Sequence, residues 1–250
     1  MIGKVLFVAL ASCLVVGSAR AQEGLALSNF VKGNSAYQEG HYDEAIQYYE
    51  AILREGSGSG AVLYNLGNSY FKKKMLGKAV LNYERARRLI PRDSDLESNY
   101  HYALSLIKKF SDPPQKGELQ RAWENWLDYF SADEWAWGAY VWLLLTVVLH
   151  LLTLWLKWPA NSRRAAAGVL IAVWLLHVFA FMQKLSDEEG YAVAVGETKA
   201  LFEPREESTA HFDLVEGGRV ELLKTEGDWA KVRRPDGKMG WVRREFVEKI

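Results

Sequence analysis

The chain has 250 residues, in which 31 Lys and Arg side chains balance 31 Asp and Glu side chains, so its formal net charge at pH 7 is zero. The charges are mixed along the chain and form no basic block. This pattern excludes the electrostatic footprint that is typical of nucleic-acid-binding proteins. The length allows two modest domains in addition to the apolar segments described below.

The N-terminal segment has the layout of a secretory signal peptide, which we predict over residues 1–21. Lys4 precedes an apolar stretch and the small-residue site Ala19-Arg20-Ala21, so cleavage would leave Gln22 as the first residue. The alternative is Leu10-Ala11-Ser12-Cys13, which resembles a bacterial lipoprotein box, but the apolar stretch before it is short. We favour ordinary cleavage. Because Cys13 is the only cysteine, the mature protein would then have no disulfide and no cysteine chemistry.

A repeat with a period of 34 residues follows the signal segment. Gly33-Asn34-Ser35 recurs as Gly67-Asn68-Ser69, and Tyr49 recurs as Tyr83 at the same spacing. Each unit predicts two amphipathic helices joined by a turn. The predicted helices cover Leu25–Glu39, Tyr42–Arg54, Ala61–Lys74 and Gly77–Ile90, and Pro91 stops the last one.

These units resemble the tetratricopeptide repeat. The second unit carries the pattern at Leu66-Gly67, Tyr70, Ala79, Tyr83, Ala86 and Pro91. The first departs from it, because a Gly-Ser segment (56–60) replaces the closing proline. Two repeats are fewer than usually needed to bury a continuous core, so we expect Ser94–Phe110 to form a capping helix that opens with a Ser94–Glu97 capping box. The predicted repeat domain is 25–110.

The resemblance also implies a binding function. Tetratricopeptide arrays bind peptides or protein segments in a concave groove lined by the first helix of each repeat. By repeat position, the groove residues here are Asn34, Tyr37, Asn65, Asn68, Phe71 and Lys72. Their amides can hydrogen-bond an extended backbone, while the aromatic rings offer apolar area. The alternative for both rings is packing between helices. Asp95 and Asn99 lie where some such domains carry basic residues, which argues against a carboxylate clamp.

Residues 111–131 are predicted to form a linker and an amphipathic helix. Pro113-Pro114 breaks any helix across the linker. Between Gly117 and Phe130 the apolar side chains return at helical spacing on one side, so we expect this helix to lie on a membrane surface or to pack against the repeat domain. The spacing of Ser131 and Glu134 predicts a capping box and a new helix that begins near Ala132.

Two uncharged apolar runs, Trp135–Leu156 and Ala165–Met182, come next. Each is long enough to cross about 30 Å of hydrocarbon at about 1.5 Å per residue. We predict transmembrane helices over 132–157 and 165–184, joined by a cytoplasmic loop over 158–164, because basic residues cluster at that loop. The alternative is a pair of buried core helices. His150 and His177 lie at depths about 10 Å apart, so hydrogen bonding within the hairpin or to a partner helix is favoured over a shared metal site.

Residues 190–250 change to short strand-like runs with glycine-containing turns, which predict a small closed barrel of five strands. The run Glu216–Ile250, with Trp229 before a Lys-Val strand and Gly240-Trp241-Val242 after a turn, resembles bacterial SH3 domains. Members of that group bind cell-wall peptides or proteins, and others have no known ligand. The candidates for an SH3-like ligand face are Phe202, Phe212, Trp229 and Trp241, and core packing is the alternative for at least half of them.

The predicted fold class is therefore multi-domain: an all-α helical repeat, a transmembrane α-hairpin and a small all-β SH3-like barrel. This order of parts resembles the BatE-type proteins of bacterial aerotolerance operons. The resemblance implies membrane-anchored von Willebrand A-domain proteins as partners, a MoxR-type ATPase nearby and a role in stress tolerance. We expect a protein-interaction scaffold in the bacterial inner membrane, with two passes and with both terminal domains in the periplasm. The alternative is a cell-envelope sensor whose SH3-like domain binds peptidoglycan.

Sequence motifs for catalysis are missing. The chain has no H-E-x-x-H, no G-x-S-x-G and no G-x-x-x-x-G-K, and its five histidines are scattered over different predicted elements. We therefore expect no enzymatic activity, no metal site, no cofactor and no nucleic-acid partner.

Overall fold

The computed structural model describes residues 24–107 and 117–250. These residues form a helical repeat region, two long apolar helices and a C-terminal antiparallel sheet, which confirms the predicted fold class. The predicted signal peptide with Cys13, the end of the predicted capping helix (108–110) and Pro113-Pro114 lie outside the described residues.

Five helices build the repeat region: α1 (24–38), α2 (Tyr42–Arg54), α3 (Gly60–Lys72), α4 (Leu76–Leu89) and α5 (Ser94–Leu106). Small residues let neighbouring helices approach, since Ala45 and Ala79 are fully buried. At Gly67 a Cβ would lie only 2.7 Å from the ring of Tyr83. The repeat therefore uses its glycine to seat an aromatic ring of the next helix.

Helix α5 closes the second repeat, but its N-cap lies one residue before the predicted cap. Asp93 is the N-cap, and its carboxylate accepts a hydrogen bond from the backbone amide of Leu96 at 2.8 Å. Glu97 pairs with Arg87 at 2.8 Å on α4. The Ser94–Glu97 capping box is thus wrong. The physical reason is that aspartate caps a helix about as well as serine, and its negative charge also suits the positive end of the helix dipole.

Helix α6 (Glu118–Asp128) packs against the end of the apolar hairpin. Its Leu127 is 2% exposed and lies in one small cluster with Trp135 and Ala180. Two polar contacts hold the same junction: Trp123 donates to the Gln183 side chain at 3.0 Å, and Lys184 lies 2.9 Å from Asp128. The hairpin is therefore the main partner of α6, which neither expectation for this helix included.

The hairpin consists of α7 (Ala132–Trp155) and α8 (Ala160–Glu189). Ser131 and Glu134 form the predicted capping box. Helix α8 begins at Ala160 and includes Arg163 and Arg164, so the connection is shorter than the predicted loop. Both helices are long and apolar enough to cross a membrane, and only 6% of each apolar window is buried. Since helices in a protein core would be mostly buried, the buried-core alternative does not describe them.

The last part is a seven-stranded antiparallel sheet with the order β3-β2-β6-β5-β4-β1-β7. The strands are β1 (Tyr191–Ala194), β2 (Thr198–Leu201), β3 (Ala210–Leu214), β4 (Arg219–Glu226), β5 (Trp229–Arg233), β6 (Met239–Arg243) and β7 (Val247–Lys249). The five predicted strands correspond to all of these except β2 and β3. Alternate residues of the strands, such as Val220, Val232 and Val242, form its core.

The sheet docks on the repeat region through β1, β7 and the turn before β4. Val193 belongs to the apolar core of the repeats. The backbone amide of Gly77 on α4 donates to the Glu216 carboxylate at 2.8 Å, and Arg85 donates to the backbone oxygen of Lys249 at 2.5 Å. The two terminal domains therefore share an interface on α4.

Candidate functional site

The predicted groove residues lie on the first helices of the two repeats, α1 and α3, and the asparagines connect these helices. The Asn34 side-chain oxygen accepts from the Tyr49 hydroxyl at 2.7 Å and from the Asn65 amide at 3.0 Å. Each of these three residues is at a position that the 34-residue period repeats. These asparagine side chains therefore hold neighbouring helices together through hydrogen bonds.

The same arrangement recurs one repeat later. The Asn68 side-chain oxygen accepts from the Tyr83 hydroxyl at 2.7 Å and from the Asn99 amide at 3.0 Å. Asn99 also donates to the Tyr64 hydroxyl at 2.8 Å. We call Asn34, Asn65, Asn68 and Asn99 the amide ladder. All four side chains are partly exposed, so amide atoms that are not used in the ladder can still meet a ligand.

Two buried tyrosines donate hydrogen bonds to the amide ladder. Tyr49 is 1% exposed, and burial raises its pKa to about 12. Burial also raises the pKa of Tyr83. Both phenols therefore stay neutral well above physiological pH, and each hydroxyl remains a hydrogen-bond donor to its asparagine.

The two aromatic residues predicted for the groove, Tyr37 and Phe71, pack against neighbouring rings and remain partly exposed. Tyr37 is partly buried and meets the Tyr42 ring edge-on at 5.4 Å between ring centroids. Phe71 is also partly buried against the core, with its ring 5.6 Å from that of Tyr102. Tyr102 is 59% exposed and Lys72 is exposed. Lys72 and Tyr102 therefore form the most accessible part of this face.

Asn99 and Tyr102 are residues of this surface that the sequence reading did not assign to the groove. Asn99 follows Asn65 by 34 residues, just as Asn68 follows Asn34. Extending the repeat period by one helix would therefore have found it.

The predicted SH3-like ligand face is not one surface. Phe212 and Trp241 are each 8% exposed, and Phe212 lies in the core of the sheet, so it is corrected to a packing residue. Trp241 lies between Lys224 and Lys231, whose ammonium groups are 5.9 Å and 5.8 Å from its ring. Alternation along β6 places Trp241 on the face opposite to the core residue Val242, so its low exposure comes from the two lysine side chains that cover its ring.

The other two aromatic residues remain accessible. Phe202 is 57% exposed and stacks on His211 with ring centroids 4.3 Å apart. Trp229 is partly exposed beneath the Arg243 guanidinium, 4.7 Å from its ring. Arg243 also lines a groove of about 870 Å³. The lining of this groove combines Leu222 and Val247 with four basic and two acidic side chains.

Among the side chains that the structure describes, no group of three His, Cys, Asp or Glu residues could hold a metal ion. His177 lies in the hairpin with its Nε2 3.1 Å from the backbone oxygen of Trp135, which is the kind of hydrogen bond that the sequence favoured.

Comparison with known proteins identifies both terminal domains. The tetratricopeptide repeat family matches residues 26–54 and 61–93, and the bacterial SH3 domain family matches residues 202–248. No curated protein shows significant similarity to the chain. Among solved structures, the C-terminal SH3 domain of myosin IB from Entamoeba histolytica is 19% identical, with a TM-score of 0.18, over 25% of this chain and 95% of that domain. The chain therefore contains two tetratricopeptide units and a bacterial SH3 domain, and both are protein-interaction modules.

Proposed function

We propose that the chain is a membrane-anchored scaffold that captures an extended segment of a partner protein on the α1–α3 face of its repeats. The main observation behind this proposal is the side of the repeats on which the SH3 domain docks. It contacts α4, the second helix of its repeat, and leaves Lys72 and Tyr102 exposed on the face of the amide ladder. Such a face offers hydrogen bonds to a peptide backbone together with apolar area.

Variants of the exposed part of this face test the proposal. Lys72→Glu combined with Tyr102→Ala keeps the amide ladder intact, and Lys199→Glu on the exposed surface of β2 is the control. After in-cell crosslinking of the full-length protein, we expect the double variant to recover at least about tenfold less partner, as the loss of two interface contacts predicts. Equal recovery of the partner with the double variant and with the wild type would reject this face as the binding site.

Membrane anchoring is supported by the apolar surface of α7 and α8. Large side chains such as Leu144, Val148 and Phe179 are 47–60% exposed, and water would make such a surface costly. The basic residues at the connection favour a cytoplasmic loop, with both terminal domains in the periplasm of a bacterial inner membrane. Reporter fusions within Lys157–Arg164 and at Ile250 test this topology. A periplasmic signal from the loop fusion would reverse the arrangement.

Membership of the BatE-type aerotolerance group is part of the same proposal. It is supported by the order of the modules: repeats, two apolar helices and an SH3 domain. The partner segment would then belong to a membrane-anchored von Willebrand A-domain protein. Co-purification of such proteins with the wild type, and their loss with Lys72→Glu and Tyr102→Ala, is the expected result.

A second candidate function is cell-envelope sensing by peptidoglycan binding. The groove of about 870 Å³ on the SH3 domain favours it, because core side chains and basic groups line a space large enough for a peptide. Sedimentation of the full-length protein with purified cell wall tests it. Arg243→Gln should release the protein, while Arg205→Gln, which is outside the groove, should not. Failure of the wild type to sediment removes this candidate.

A further inference from the structure

Helix α6 carries an apolar stripe that the described part of the chain leaves largely uncovered. The stripe consists of Leu119, Trp123 and Trp126, whose spacing places them on one side of the helix. Leu119 is 89% exposed and Trp126 is 41% exposed, whereas Trp123 is partly buried. Leu127, on the adjoining side, is the residue that packs into the hairpin. The binding surfaces described above do not use this stripe.

The contacts between α6 and α8 indicate that the two helices cross. Trp123 and Asp128 are separated by a rise of about 7.5 Å along α6, yet they bond to consecutive residues of α8. Trp123 donates to Gln183 at 3.0 Å, and Lys184 lies 2.9 Å from Asp128. A helix that crosses a membrane-spanning helix in this way lies close to the membrane plane.

The crossing lies where the apolar part of the hairpin ends. Gln183 and Lys184 directly follow the uncharged run of α8, which ends at Met182. On α7, the ring of Trp126 meets Trp135, the first residue of the other uncharged run. Both contacts place α6 at the same end of the apolar segments. This level corresponds to the headgroup region of a bilayer, where membrane proteins carry belts of Trp and Tyr.

The stripe points towards the apolar segments of the hairpin. The Trp126 ring meets the Trp135 ring edge-on at 4.7 Å between centroids, and the Trp135 ring lies 4.7 Å from that of His177. His177 lies inside the second uncharged run, so this row of rings leads from α6 into the hairpin. Leu119 is about two turns from Trp126 on the same side of α6 and therefore points the same way.

The polar side of α6 indicates what kind of surface the helix meets. Between Glu118 and Asp128 the helix has three carboxylates and one guanidinium, that of Arg121. Attraction to anionic lipids would instead need an excess of basic residues. The stripe is therefore suited to a neutral lipid interface, where an indole ring is buried while its N–H group keeps a hydrogen bond.

We infer that α6 is an interfacial membrane helix whose stripe is immersed at the headgroup boundary of a bilayer. The inference rests on the membrane anchoring in the proposed function and adds a second attachment to it. Arg92 of the repeat region donates to the backbone oxygen of Tyr129 and to the Glu134 carboxylate, both at 3.0 Å. These bonds join the repeats to the end of α6 and the start of α7. They would hold the α1–α3 face at a set height above the membrane.

Nitroxide labels on the full-length protein in phosphatidylcholine vesicles test the inference. In a Cys13→Ser background, Leu119→Cys carries the label on the stripe. Arg121→Cys is the matched control, because Arg121 is exposed on the opposite side of the same helix. Oxygen concentrates in the apolar bilayer, whereas a hydrated nickel chelate stays in water. We expect the ratio of oxygen collisions to nickel collisions to be several-fold higher at position 119 than at position 121.

Two outcomes of this experiment overturn the inference directly. Equal ratios at positions 119 and 121 would show that the stripe lies in water. Exclusion of both reagents from position 119 would show that a protein surface covers it. Added phosphatidylglycerol should leave the ratio at position 119 unchanged, and insertion that requires this lipid would overturn the assignment to a neutral interface.

Val148→Cys separates this inference from the anchoring proposal, because Val148 is exposed within the apolar run of α7. Preferential collision with oxygen at position 148 but with nickel at position 119 rejects the inference and leaves the hairpin in the membrane. Preferential collision with nickel at position 148 rejects the anchoring itself, and the inference falls with it.

Discussion

At the scale of single residues, the asparagines of the repeats serve the fold before they serve a ligand. The side-chain oxygens of Asn34 and Asn68 each accept two hydrogen bonds, one from a buried tyrosine and one from the next asparagine. A buried hydroxyl that loses its acceptor is costly, since it no longer reaches water. Alanine substitution of these asparagines would therefore damage the repeat as well as the groove.

Asn68→Ala provides the direct test. It removes the acceptor of Tyr83 and of Asn99, so we expect the free energy of unfolding of the repeats to fall by about 1–3 kcal/mol. Hydrogen exchange of the α3 and α4 amides in the full-length protein measures this. Lys72 is exposed on the same face, so Lys72→Ala should change the free energy of unfolding by less than about 0.5 kcal/mol. Equal effects of the two substitutions would contradict the structural role of the ladder.

Tyr49 makes the stability of the repeats depend on pH in the alkaline range. Its pKa in the folded protein is raised to about 12 by burial, whereas an unfolded tyrosine has a pKa of about 10. The stabilisation of the folded repeats by the neutral Tyr49 phenol is complete below pH 10. It is lost as the pH rises towards 12, because in that window the phenol ionises only in the unfolded chain. Hydrogen exchange of α2 across this range should show the loss. Tyr49→Phe should show a shallower decline, and an identical slope would contradict this origin.

At the scale of elements, helices were predicted well because their signals are local. Apolar periodicity predicted α2 with the observed bounds, and the Ser131–Glu134 spacing predicted the start of α7. The cap of α5 was misplaced by one residue because Asp93 and Ser94 are both good caps, and sequence alone does not choose between adjacent candidates.

Strands β2 and β3 were missed for a physical reason. Each has only four or five residues, and a largely polar segment separates them. They pair with each other, and β2 also pairs with β6, which is more than 25 residues further along the chain. Strand preference depends on such partners more than helix preference does. The same dependence hid the burial of Phe212 and Trp241.

At the scale of the whole molecule, the docking of the two terminal domains could not be read from the sequence. Gly77 and Glu216 are 139 residues apart, and neither belongs to a motif that predicts their hydrogen bond. The sequence presents two modules on either side of a hairpin, whereas the structure joins them on α4. A ligand on the repeats and a ligand on the SH3 domain would therefore be held at a fixed separation.

Gly77→Ala tests whether this fixed separation depends on close backbone packing. A Cβ at Gly77 would lie 2.6 Å from the backbone oxygen of Ala194 and 2.9 Å from the Cα of Val195, so backbone atoms must move apart. Alanine itself favours helix, so α4 should remain folded. Spin labels at the exposed positions Glu44 and Lys238, in a Cys13→Ser background, report the separation by pulsed electron paramagnetic resonance. We expect a narrow distance distribution in the wild type and a broad one in Gly77→Ala.

The matched control for this experiment is Gly168→Ala in α8, where an added Cβ meets no atom within 4 Å. It should keep the narrow distribution. Because the interface also includes Arg85 and Arg88, which donate to the backbone of Lys249 and Ile250, Gly77→Ala should loosen the interface without separating the domains completely. Distributions that coincide for both variants would show that the polar contacts alone fix the domains. The docked arrangement would then tolerate a methyl group at this position.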